Sequence, residues 1–125
     1  MKLDYDLLKK ILQILESDES FEIKTNELIQ KLDDNSFSLN KFIGHMYELN
    51  DNGCFDCPQK DLGITRTFKG YLIGNAPIRL TAHGRQFLEA LKNDRVFNKI
   101  KEFSVSTAIE AGKTLLQAII TTAVS

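Results

Sequence analysis

The chain has 125 residues, with 16 basic against 17 acidic side chains and a formal net charge of −1. That length accommodates one domain with a short appendage. The near-neutral balance excludes polyanion binding driven by bulk charge, so any nucleic-acid contact has to come from a local patch. The opening "MKLDYDLLKK" places Asp4 and Asp6 where a secretory leader would be apolar, and no uncharged run reaches the roughly 20 residues of a membrane helix. We expect a cytoplasmic protein that contacts no membrane.

Asp4 is placed to cap a first helix whose apolar residues Leu7, Leu8, Ile11, Leu12 and Leu15 share one face and which ends around residues 17–20. "FEI" (21–23) alternates like a short strand. Thr25 is expected to cap a second helix with Leu28, Ile29 and Leu32 inward, ended by the polar "DDNS". Ser38 caps a third, with Leu39, Phe42, Ile43, Met46 and Leu49 inward and Gly53 as its left-handed terminator. The outward positions of that helix are then Lys41, Gly44, His45, Glu48, Asp51 and Asn52. Beyond Gly53 the period becomes strand-like: "ITRTF" (64–68) alternates, "YLI" (71–73) continues it, "GNAP" (74–77) supplies a turn and "IRL" (78–80) the return strand.

Thr81 closes that strand and caps the next helix, its hydroxyl accepting from the amide of His83 or Gly84. Gly84, costly in a helix by about 1 kcal/mol against alanine, suits a place where the backbone approaches a neighbouring helix closely. Phe87, Leu88 and Leu91 share one face, whereas Val96, Phe97, Ile100 and Phe103 point nearly the opposite way at about 100° per residue. Either Asp94 caps a new helix in a new direction, or a single helix carries a second partner on its far side. In the last segment Val105, Ile109, Gly112, Leu116, Ile119 and Ala123 recur at spacings of four and three, a seam of about three heptads. Ala108 and Gly112 would admit another helix closely. The segment either packs back on its own domain or pairs with a second copy, and we expect pairing.

The order helix, short strand, helix, helix, hairpin, helix is the winged helix-turn-helix plan, and the join Leu80, Thr81, Gly84, Phe87, Leu88 is common after the wing of such domains. The fold class expected is therefore α+β, mostly α. A winged-helix domain would cover residues 1–103, and a C-terminal oligomerisation helix 104–125. The start "MKLDYDLLKKILQILES" and the segment "LTAHGRQFLEALKNDRVFNKIKE" resemble a family of short bacterial and prophage proteins catalogued as a domain of unknown function. The likeness covers residues 1–20 and 80–102, and Phe97 stands where the family usually has tryptophan. It implies a winged helix and a mobile-element setting, and it brings no catalytic residues.

Cys54 and Cys57 form a lone C-x-x-C. A zinc ribbon would need a second pair, and only His45 and His83 are at hand, so we read two inert thiols at a strand start and expect no metal and no cofactor, the alternatives being an intersubunit metal or a disulfide. There is no serine elbow, no phosphate-cradling glycine loop and no H-E-x-x-H, and so no enzyme is expected. Charge is segregated. Residues 1–37 hold five lysines against nine acids, whereas residues 62–85 hold Arg66, Lys69, Arg79 and Arg85 with no acid. Such a hairpin suits phosphate contact, and Asn40, Lys41 and His45 on the third helix are candidates for base edges or phosphate. The expected partner is double-stranded DNA bound by a homodimer. A host protein bound through the same scaffold is the alternative.

Overall fold

The computed structural model describes residues 2–18, 22–34 and 36–124, the side chains of 121–124 excepted. Three helices come first, with one short strand among them: α1 (Tyr5–Ser17), β1 (Ile23–Lys24), α2 (Thr25–Leu32) and α3 (Leu39–Asp51). Four strands follow, β2 (Phe55–Asp56), β3 (Ile64–Thr67), β4 (Gly70–Ile73) and β5 (Pro77–Leu80). The chain then closes with α4 (Ala82–Lys92), α5 (Asp94–Ile100) and α6 (Val105–Val124). The fold is α+β and mostly helical, as expected. Phe21, expected to open the first strand, lies outside the described residues.

Caps set the helix starts. The Asp4 carboxylate accepts from the Leu7 amide at 3.1 Å, Ser38 Oγ from Lys41 at 3.4 Å, and Thr81 Oγ1 from Gly84 at 3.0 Å. Gly53 takes φ +76 after α3, the left-handed conformation a helix terminator needs. Gly84 is indeed a close-approach residue, but the neighbour is the Cys54 carbonyl rather than a helix. Thr25 departs from expectation. It is the first residue of α2 and does not cap it. Instead it is fully buried, with its hydroxyl donating to the Leu62 carbonyl at 2.6 Å and its amide donating to the Ala76 carbonyl at 3.0 Å.

The strands form two ladders. Strand β5 is central in a three-stranded antiparallel sheet, order β1-β5-β2, with Ile23 opposite Ile78 and Phe55 opposite Leu80. Strands β3 and β4 form a separate antiparallel hairpin between β2 and β5. This corrects the expected turn. The reversal falls at Phe68-Lys69, with Thr67 paired to Gly70, and not at "GNAP", which instead carries the chain across to the other sheet. The physical reason is Gly70, whose φ of +135 supplies the reversal a side chain would resist. Phe68, expected in the strand, is a turn residue.

One core joins the sheet to the helices, from Leu8, Ile11 and Leu12 of α1 through Phe42 and Met46 of α3 to Phe87, Leu88 and Leu91 of α4. The segment after α4 does start a new helix, capped by Asn93 rather than Asp94: the Asn93 amide oxygen accepts from Arg95 at 3.1 Å and Val96 at 3.2 Å. Helix α6 then packs on α4 and α5. Val105, Ala108, Ile109 and Gly112 are buried, and a Cβ on Gly112 would lie 2.9 Å from that of Ala90 and 3.4 Å from Ile100. The seam expected between two chains is therefore spent, over its first half, inside one chain. Leu116 and Ile119 are half-buried, Ile120 is 55% exposed, and the side chain of Ala123 lies outside the described residues.

Candidate functional site

The β3–β4 hairpin carries exposed charged and apolar side chains, Arg66, Phe68, Lys69 and Leu72. Its ladder runs Ile64–Ile73, Thr65–Leu72, Arg66–Tyr71 and Thr67–Gly70, so alternate pairs share a face. Ile64, Ile73, Arg66 and Tyr71 lie on one side, and Ile64 is buried against the core. Thr65 and Leu72 lie on the other, where Leu72 is 65% exposed. At the tip Phe68 is fully exposed and Lys69 stands beside it.

The hairpin's base is fixed to the domain. Leu62 and Gly63 both take positive φ, of 60 and 71. The Asp61 carboxylate accepts from the Gly63 amide at 2.9 Å, and the Gly63 carbonyl accepts from Gly74 at 2.8 Å. A Cβ at Gly63 would come 2.8 Å from that of Ala76, which is why glycine stands there. Thr25 holds Leu62 from the opposite side. The start of α2 thus sets the position of the hairpin.

Arg66 and Tyr71 lie within electrostatic range of Tyr47, which is 36% exposed on α3. Partial burial, Tyr71 and Asp61 push the Tyr47 phenol above its ordinary value, while Arg66 pulls it down. Tyr47 on the third helix thus shares an electrostatic neighbourhood with Arg66 and Tyr71 of the hairpin.

The other expected contact residues are scattered. Asn40 and Lys41 are exposed at the start of α3, where Lys41 pairs with Asp4 at 2.6 Å. His45 is not outward: it is fully buried, accepting from the Asp4 amide through Nε2 at 2.8 Å and donating from Nδ1 to the Lys41 carbonyl at 2.7 Å. It leaves the set of groups that can touch a partner. Arg79 faces Asp56 across the β5–β2 ladder, with Nε and Nη2 donating to one carboxylate oxygen at 3.0 and 2.5 Å. Arg85 shares a shallow cleft with that pair, its guanidinium 3.5 Å from the Leu80 carbonyl. Arg66 and Lys69 alone of the expected set sit on one hairpin, and neither makes an ion pair among the described residues.

Sequence reasoning missed Tyr47, Phe68, Tyr71 and Leu72. The "T-F-K-G" stretch held the usable signal, since glycine two residues after Phe68 permits a two-residue reversal there. Cys54 is buried, and burial pushes its thiol up to about 12. Cys57 is half-buried and also raised, chiefly by burial. No group of three His, Cys, Asp or Glu among the described residues is placed to hold a metal. No described helix is long and apolar enough to cross a membrane.

The architecture is that of a small, mostly helical α+β domain bearing one projecting basic hairpin. A family model described as "Hypothetical protein (DUF2513)" matches residues 2–110, and the chain belongs to that family. No curated protein and no solved structure gives a significant match.

Proposed function

We propose that this is a small regulatory DNA-binding protein of winged helix-turn-helix type, belonging to a phage or other mobile element. The strand order β1-β5-β2 beside three helices, with α2 and α3 consecutive and a hairpin between β2 and β5, supports the winged-helix assignment. The mobile-element setting rests on the likeness of both ends of the domain to prophage proteins. One observation carries the DNA reading. Arg66 and Lys69 project on a hairpin with no ion-pair partner among the described residues, inside a segment (62–85) that has no acid. Each phosphate such a cation neutralises releases condensed counterions. Asn40 and Lys41, at the exposed start of α3, are the groups that would reach the major groove.

Titration of a labelled duplex at several salt concentrations tests this. Affinity should fall as salt rises, and Arg66→Ala with Lys69→Ala should flatten the log–log slope by about 2. Arg79→Ala should change it little, because Asp56 already neutralises that guanidinium. No binding at low salt rejects the reading.

A second reading has its own support. Tyr47, Glu48 and Asp51 give α3 an aromatic and acidic outer face that phosphate would repel, as an adaptor or inhibitor of a host protein, a defence component included, would present. Capture of a host protein that survives nuclease treatment and is lost in Tyr47→Ala would favour it.

A further inference from the structure

We propose that Phe68 is a wedge: on binding, its ring enters a base step from the minor groove, and the duplex is kinked rather than held straight. This rests on the DNA-binding reading of the same hairpin and specifies how that hairpin engages its partner. Phe68 occupies one of the two turn positions between Thr67 and Gly70 and is fully exposed, so its ring packs on nothing among the described residues. A polar residue would suit such a turn better, and no described contact within the chain accounts for the phenylalanine. Its neighbours match a nucleic acid in charge. Lys69 is adjacent in the turn and Arg66 two residues back, both exposed and without an ion pair among the described residues.

A wedge must also be stiff, because unstacking a step pushes back on the inserted ring. Four ladder pairs run from the base to the tip. Thr67 Oγ1 donates to the Gly70 carbonyl at 3.1 Å across the turn, and Thr25 clamps Leu62 at the base. The minor groove, roughly 6 Å wide, admits the side chains of a hairpin tip but not a helix. Apolar side chains inserted there kink DNA by roughly 20–90°. Leu72, paired with Thr65 on the opposite face from Ile64, is a second exposed apolar side chain of the hairpin.

The test uses the full chain and a short duplex of mixed sequence carrying a donor–acceptor dye pair at its ends, read at low salt by anisotropy and by energy transfer together. The wild-type protein should raise both signals. Phe68→Ala, which removes a side chain that contributes nothing to the core, should still bind, about tenfold more weakly, but without the rise in energy transfer. Phe68→Leu should restore most of it. Arg66→Ala with Lys69→Ala should weaken binding and flatten its salt dependence. Wild-type binding without a change in energy transfer, or an unchanged bend in Phe68→Ala, overturns the wedge and leaves the DNA reading standing. No anisotropy change with wild-type protein overturns both.

Discussion

His45 shows how one buried polar side chain ties chain segments together. Its ring has two partners, the Asp4 amide and the Lys41 carbonyl, and this pattern requires the tautomer with its proton on Nδ1. It thereby fixes the start of α1 against the first turns of α3. Replacing it with alanine opens a cavity and strands a backbone donor, so we expect His45→Ala to lose about 2–4 kcal/mol in denaturant unfolding. A loss within experimental error would mean the ring carries no weight. Asp4 adds a pH dependence. Burial raises its carboxyl, but the Lys41 ammonium and the Leu7 amide outweigh that and hold it below its ordinary 3.8. A depressed folded-state value stabilises above the unfolded one, and the gain disappears as pH falls through the folded value. Stability should therefore drop below about pH 4, and less steeply in Asp4→Asn, as urea midpoints at several pH values will show. Cys54, with its thiol held protonated, should stay unreactive toward a disulfide reagent at pH 8 until the chain is unfolded. Fast labelling of both thiols in native protein would contradict that.

Among the elements, the hairpin and α6 depend on neighbours that their own sequences do not name. The hairpin's placement rests on Thr25, some forty residues earlier. Thr25→Val keeps the shape but removes the hydroxyl, so the Leu62 carbonyl loses its buried donor. We expect a loss of about 1–3 kcal/mol, with faster amide exchange in β3 and β4 than in α1. Uniform exchange across the chain would place the role of Thr25 elsewhere. Helix α6 depends on the small residue at Gly112. A larger side chain there meets Ala90 and Ile100, so Gly112→Leu should destabilise even though leucine is the better helix former. An increase in melting temperature would show that α6 does not pack on α4 in solution. The same packing satisfies the heptad spacing of Val105, Ile109 and Gly112 within one chain. A stripe of that period reports a partner surface, and a second chain or the chain's own α4 and α5 satisfies it equally well.

At the scale of the molecule, local rules settled much. The helix starts at Asp4, Ser38 and Thr81, the stop at Gly53 and the break between α4 and α5 follow from capping chemistry and from the period of apolar residues, both of which operate within a few residues. So does the separation of an acidic first third from an acid-free 62–85 segment, which is a property of the string itself. Tertiary packing decided the rest. The string shows which cations exist but not that Asp56 faces Arg79 across a ladder, that Asp4 holds Lys41, or that His45 turns inward, because each pairing joins residues far apart in the chain. It did not separate the two ladders either. A run such as 64–73 reads as one strand until the backbone at Gly70 reverses and leaves Phe68 in water. The elements were legible because their causes are local. The exposed and unpaired set, Arg66, Phe68, Lys69 and Tyr47, was decided only when packing turned His45 inward and set Lys41 and Arg79 against carboxylates.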